Sequence, residues 1–283
     1  MKRIVSAVLT GVAALTALAV IQGCGVLGGP PTGVAVSAGP GDSDSTVMIS
    51  WTVPAEGSPD KYMVHFRPVT DSGYTVLGET TATSYAHNPH GMTGQYKVAA
   101  LFGQDTYEGA EKPATVPIKS DAITLFEINA DSSRCGFGWT RDSGIGRAFA
   151  MTESANCAYV DFYVSDLQAG VGGELDIVSP NKADSIDSGA VGIVPPAAWK
   201  TNGFTNPLTN AQNPVPGYQA PPNANYFIYT VITMQPCYIG CYTAGDTVKH
   251  YALIQVDSTD KASGQVWLQS WYQLVPRLRL MRH

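Results

Sequence analysis

The side chains whose spacing can be read as chemistry are cysteines, histidines, carboxylates and one run of aromatics. Five cysteines occur. Cys24 stands directly behind an apolar run, apart from the rest. The other four, Cys135, Cys157, Cys237 and Cys241, form an even set that an oxidising compartment pairs. Three connectivities exist, and proximity along the chain favours Cys135 with Cys157 and Cys237 with Cys241. The competing chemistry is a four-cysteine metal site, but structural zinc uses two tight knuckles. Only Cys237-Tyr238-Ile239-Gly240-Cys241 is close, and its spacing is C-x3-C. His87 and His90 lie three apart near a turn and invite a metal or haem; with no carboxylate or cysteine beside them they suit a solvated loop. Asp42-Ser43-Asp44-Ser45 begins like a calcium loop, but Val53 stands where the bidentate glutamate belongs, so the segment reads as a turn.

Catalysis finds little support. Asp161 and Asp176 could meet across strands as a glycosidase's carboxylates do, though most such pairs are surface charges. No His-Glu-x-x-His helix, Gly-x-Ser-x-Gly elbow or Walker loop occurs. The chain is expected not to be an enzyme and to need no cofactor and no metal. Binding has a better candidate in the irregular stretch 195–225, since a structureless loop of that length is often functional. Trp199, Phe204 and Tyr218 could stack on a ligand while Asn202, Asn206, Asn210, Asn213 and Asn223 exchange hydrogen bonds. The alternative is that these rings turn inward and anchor the loop.

The elements that position these residues begin with a targeting segment. Lys2 and Arg3 precede an apolar run from Ile4 to Ile21, broken only by Ser6, Thr10, Gly11 and Thr16. That is the pattern of a secretory signal; a spanning helix would need about 20 apolar residues. Val20-Ile21-Gln22-Gly23-Cys24 resembles the lipobox of bacterial lipoproteins. The resemblance implies cleavage before Cys24, a diacylglycerol on its thiol and an acylated amino group, with residues 1–23 removed as signal peptide. Gly25 after the cysteine, rather than aspartate, implies the outer membrane by the sorting rule of those lipoproteins. Residues 24–31 are expected to be a flexible Gly/Pro tether.

The whole chain carries 17 Lys and Arg against 23 Asp and Glu; without Lys2 and Arg3 the balance is 15 against 23, or −8. Such a surface repels phosphate backbones, which excludes nucleic acid as a natural partner. Few charges with abundant Gly, Pro, Ser, Thr, Val and Tyr suit short strands and turns, and the expected fold class is all-β, with two β-sandwich domains in tandem.

From 32 to 119 apolar residues recur with period two: Val34 and Val36; Val47, Ile49 and Trp51; Tyr62, Val64 and Phe66; Tyr74 and Val76; Tyr96, Val98 and Ala100. Turn-rich breaks separate them. The segment resembles a fibronectin type III domain. Ile49-Ser50-Trp51-Thr52-Val53-Pro54 is similar to that family's second strand with its core tryptophan, Tyr62-Met63-Val64-His65-Phe66 to the third, and Tyr96-Lys97-Val98-Ala99-Ala100 to the sixth with its corner tyrosine. His87 to Gly94 replaces the family's Leu-x-Pro-x-Thr approach to that tyrosine. The resemblance implies a spacer and binding scaffold without chemistry of its own.

Residues 120–283 read as a second antiparallel β domain, with Ala158, Val160, Phe162 and Val164 alternating with Tyr159, Asp161, Tyr163 and Ser165. Two late segments, His250 to Val256 and Gln265 to Leu274, form a hairpin around the polar loop 257–264. This hairpin is similar to the closing one of HmuY-like lipoproteins, some of which capture haem; the likeness implies a fold, and no haem-ligating histidine pair comes with it. The tail Arg277-Leu278-Arg279-Leu280-Met281-Arg282 reads as a solvated strand with arginines outward, with anionic headgroups as the alternative contact. Together these features predict a lipid-anchored envelope protein whose first domain presents the second to an envelope protein or glycan, with glycan or haem capture as the alternative.

Overall fold

The computed structural model describes residues 28–40, 46–167, 172–183, 199–200, 202–204, 228–230, 236–241 and 250–283. Among the described residues the named regular elements are strands and two 3-10 turns, at Ser154–Asn156 and Pro180–Lys182.

The first unit holds β1 (Thr32–Ala38), β2 (Val47–Thr52), β3 (Lys61–Pro68), β4 (Thr75–Thr80), β5 (Ser84–His87), β6 (Gly94–Phe102) and β7 (Asp105–Glu108). They form a three-stranded sheet ordered β1-β2-β5 and a four-stranded one ordered β4-β3-β6-β7. Alternation decides which faces meet: Val47, Ile49 and Trp51 of β2 pack on Tyr62, Val64 and Phe66 of β3 and on Tyr96, Val98 and Ala100 of β6. The three segments that resemble the second, third and sixth fibronectin type III strands are β2, β3 and β6. Two expected positions fail: Tyr74 precedes β4 and lies outside the core, its hydroxyl donating to Gln95 and its ring under Arg67 and Lys97. Val76 is 56% exposed, while Leu77 packs against the core. A register shift between Val64 and His65 in the β3–β4 ladder lets β4 carry one extra residue there, and a one-residue slip turns side chains to the other face.

The second unit begins with β8 (Ile118–Lys119) and β9 (Ile123–Phe126), which pair in succession with β18 (Gln265–Tyr272). Between them come β10 (Gly136–Trp139), β11 (Gly146–Phe149), β12 (Phe162–Ser165), β13 (Asp176–Val178), β14 (Gly203–Phe204), β15 (Ile228–Thr230), β16 (Pro236–Cys241) and β17 (His250–Asp260). One sheet runs β11-β10-β12-β13-β15 and the other β14-β16-β17-β18-β8. Phe137, Trp139, Phe162, Val164 and Ile177 from the first sheet meet Ala252, Ile254, Val256, Val266 and Leu268 from the second, so the chain is all-β with two sandwich units. The expected hairpin is present with a tighter connection: β17 continues to Asp260, and only residues 261–264 turn.

Both outer faces of this sandwich are also covered. Tyr163 and Val178 look away from the central core into a layer with Ile128, Met151, Val160 and Trp199, which is why β12 is buried along its whole length. The alternation expected from residue 158 therefore starts only at Phe162, after the turn at Ser154–Asn156.

The residues after β18 do not form a solvated strand. Val275, Leu278 and Leu280 enter the core of the first unit beside Val34, Ile49 and Tyr96, and Met281 packs on Tyr251, Leu253 and Trp271 of the second. Gln273, 1% exposed, donates to the carbonyls of Thr115 (2.9 Å) and Leu280 (2.7 Å) and accepts from the Val275 N–H (3.0 Å). Thr93 Oγ1 donates to the Arg282 carbonyl at 2.6 Å. Arg279 is itself buried, so the expectation of outward arginines holds only in part: the apolar residues of the alternation sought the gap between two sandwiches rather than one more sheet position.

Candidate functional site

The most charged interior site lies at the start of β12. Asp161 is fully buried, and its carboxylate accepts two bonds from the Arg141 guanidinium (2.6 and 3.0 Å), one from Lys200 Nζ (3.1 Å) and one from the Trp139 N–H (3.0 Å). Asn202 Nδ2 donates to the Asp161 carbonyl at 2.5 Å, and the Asn202 N–H to Ser179 Oγ at 2.9 Å. Burial alone would raise the Asp161 pKa; Arg141, Lys200 and the hydrogen bonds outweigh it and hold the carboxyl below its usual range. Such a carboxylate is a structural counter-ion. Asp176 pairs with Ser165 at the far end of β12, about 13 Å along the strand at ~3.3 Å per residue. That exceeds the ~5–9.5 Å between glycosidase carboxylates, so the two acids do not form the pair that their sequence positions allowed.

Chain proximity also misleads for one cysteine pair. Cys237 and Cys241 lie on the single strand β16, opposite Ile254 and His250. Four residues of extended chain put their Cα atoms about 13 Å apart, beyond the ~7 Å limit for a disulfide, so the expected bridge between them does not form. Cys135 and Cys157 are both free and buried and share one apolar cluster with Met151, Phe149 and Trp199. The expected bond between them is not made: the Cys135 thiol donates instead to the Ser132 carbonyl at 3.4 Å. Burial pushes that thiol up to about 12, which leaves it poorly reactive at neutral pH.

Of the aromatic trio, Trp199 is 3% exposed inside that same cluster, so it anchors its loop and offers no stacking face. Phe204 lies in β14, whose backbone pairs with Ile239, and Tyr218 is outside the described residues. Cys24 and the Asp42-Ser43-Asp44-Ser45 segment are also outside them. Among the described residues no group of three or more His, Cys, Asp and Glu could hold a metal ion.

His87 is not a solvated loop residue. It closes β5, packs edge-on against Phe66 at 5.0 Å, and its Nδ1 lies 2.9 Å from the Tyr96 hydroxyl. The imidazole thus supplies the partner that the departure from Leu-x-Pro-x-Thr takes from the corner tyrosine. Burial, reinforced by His90, lowers the His87 pKa to about 4, while burial raises that of Tyr96, so the phenol donates to a neutral ring. A histidine held below its unfolded pKa of ~6.5 contributes stability above that pH and loses it as pH falls towards 4, here at most about 3 kcal/mol. Urea midpoints of the first unit are expected to drop between pH 6.5 and 4, and His87→Gln, which keeps an acceptor for Tyr96, is expected to flatten that part of the profile; equal pH dependence in both chains would contradict the assignment.

The tether is shorter than its composition suggests. Gly29 and Pro31 are buried, and a Cβ on Gly28 would fall 2.6 Å from the Tyr107 ring and 2.9 Å from that of Phe102. The chain is therefore seated on the β6–β7 end of the first unit from Gly28 onward.

A scan against protein-family models finds no match, and a search of curated proteins finds none either. Among solved structures, an Fn3-like protein from Clostridium thermocellum is 21% identical, covering 31% of this chain and 91% of that one with a TM-score of 0.26. A computer-redesigned β-sandwich protein is 21% identical over 30% of this chain and 87% of its own, with a TM-score of 0.24. A structure of titin kinase and its flanking domains is 11% identical, covering 88% of this chain and 38% of that one, with a TM-score of 0.28. The fold assignment rests on strand order and core packing, not on these matches. Among the described residues no helix is long and apolar enough to cross a membrane.

Proposed function

We propose that the chain is a non-catalytic, lipid-anchored protein of the bacterial cell envelope, probed by its surroundings through the second β unit while the first holds that unit near the bilayer. The supporting observation is the seating of Gly28 on Phe102 and Tyr107. Four Cα steps from Cys24 to Gly28 reach no more than about 14 Å, so a lipid on Cys24 keeps the β6–β7 end of the first unit close to the headgroups. The tail that enters both units makes them move together, as a spacer requires. A formal charge of −8 after signal removal, 15 basic against 23 acidic side chains, disfavours adhesion to anionic lipid by charge alone, which leaves the acylated cysteine as the means of attachment. The partner is an envelope protein or a glycan, with haem capture by the second unit as the alternative. Cys24→Ser is expected to move the protein from the membrane fraction to the soluble one in an expressing bacterium. Unchanged partition of the variant would overturn the anchor.

A further inference from the structure

An open cleft of about 360 Å³ lies against β11 in the second unit, between Ser133, Arg147, Phe149, Glu153 and Asn156. β11 ends its sheet, pairing there with β10 alone, so one side of its backbone is available. The Gly146 N–H donates outward to Ser120 Oγ at 2.7 Å, and alternation in an antiparallel ladder then directs the N–H and C=O of Ala148 outward too, into the cleft. On the same face as Phe149, β10 carries Gly136 and Gly138. A Cβ on Gly138 would meet the Tyr159 carbonyl at 1.8 Å, and one on Gly136 the Val160 side chain at 3.1 Å. These two glycines let the segment after the Ser154–Asn156 turn lie flat on the sheet and bring Tyr159 beside Phe149. Their rings stack at 5.9 Å and 7°, with the Arg147 guanidinium 4.7 Å from the Phe149 centroid. Tyr159 remains 51% exposed.

We propose that this cleft is a carbohydrate site for one or two pyranose rings, a reading that deepens the binding role above. Its volume is at the small end of ligand pockets, about 300–1,000 Å³. The flat, half-exposed Tyr159 ring offers an electron-rich face to the C–H face of a sugar. The Tyr159 ring adjoins the cleft through Phe149, on which it stacks, and the cleft walls supply donors and acceptors in the mixture that vicinal hydroxyls need: Arg147, which makes no ion pair among the described residues, the Glu153 carboxylate, the Ala148 peptide, and Asn156, whose Nδ2 already donates to the Ala150 carbonyl (2.8 Å) and Glu153 (3.3 Å) and so leaves its oxygen to accept. A strand-adding peptide would want apolar pockets for alternate side chains beside the open edge, and the walls here are chiefly polar.

The test is a printed panel of defined neutral, amino and uronic oligosaccharides probed with the full chain, followed by titration of the strongest binder. Binding is expected, and Tyr159→Ala and Arg147→Ala are each expected to weaken it at least about fivefold with unchanged thermal melting, since both side chains are exposed. No bound sugar, or a bound sugar indifferent to both variants, overturns the site. Capture of extended peptides, abolished by Ala148→Pro, would replace carbohydrate with strand addition and equally overturns it. Membrane partition of Cys24→Ser is read separately, so silence on the panel with an intact anchor removes the cleft and leaves the envelope reading standing.

Discussion

Deleting residues 275–283 unfolds the first β unit, although the deletion lies far from it in sequence. Val275, Leu278 and Leu280 are 7%, 0% and 0% exposed within that unit's core. At about 1.5–3 kcal/mol for each buried aliphatic side chain, their loss removes roughly 5–9 kcal/mol, much of the ~5–15 kcal/mol that holds an ordinary domain together. Thr93 Oγ1 and the Gln273 amide would lose partners in the same step. Limited proteolysis and a thermal melt of the truncated chain are expected to show residues 32–119 cleaved and their transition gone. Leu278→Ala is expected to cost about 2–5 kcal/mol, while Arg277→Ala, at an exposed position, is expected to stay within ~0.5 kcal/mol. A truncated chain that melts like the whole would show that the first unit's core is complete without the tail.

Asp161→Ala is expected to be the most damaging single change in the second unit. It leaves Arg141 facing the interior and Lys200, only 6% exposed, without their shared counter-ion. Removing one partner of a buried ion pair costs about 3–5 kcal/mol, a cost that falls mainly on the buried Lys200, since Arg141 is 29% exposed and keeps the Trp139 carbonyl and the Tyr272 ring. Lys200→Met should be milder, because Arg141 still neutralises the carboxylate through two hydrogen bonds. The pH dependence follows from the lowered pKa: the contribution of Asp161 is present above the ordinary aspartate range and is lost only as pH falls below it through the folded-state value. Urea titrations of the three chains at neutral pH check the order, and an Asp161→Ala midpoint equal to that of Lys200→Met would contradict it.

What the sequence disclosed depended on how many faces of a strand are buried. In the first unit one face meets the core and the other water, so β2, β3 and β6 announce themselves by period two and the fibronectin type III likeness locates them by order. Val76 escaped because a bulge shifts register, and no local residue type signals that. In the second unit both faces of β12 are covered, so its boundaries blur and Tyr163, expected to face outward, turns out to be buried.

The candidate sites were less legible, for separate physical reasons. Cys237 and Cys241 are near in chain but far in space, because extended backbone separates residues as fast as covalent geometry allows. Asp161 sits among Val160, Phe162 and Val164, and a carboxylate in so apolar a run is a signal for a buried counter-ion; Arg141 and Lys200 become its partners only through tertiary pairing. The shelf at Tyr159 depends on Gly136 and Gly138, whose alternation with Phe137 and Trp139 was visible without revealing what would lie on the bare positions. The tail displayed its alternation openly, and only the packed structure reveals that the apolar half belongs to the other sandwich.

The chemistry at Cys24 decides most directly whether the protein is anchored. Intact mass and tandem fragmentation of the mature protein from bacterial membranes are predicted to give an amino-terminal residue Cys24 carrying a diacylglyceryl thioether and, after Gly25, Val26 and Leu27, the Gly28 that seats on the first unit. An unmodified cysteine, or a precursor that still contains residues 1–23, would contradict it.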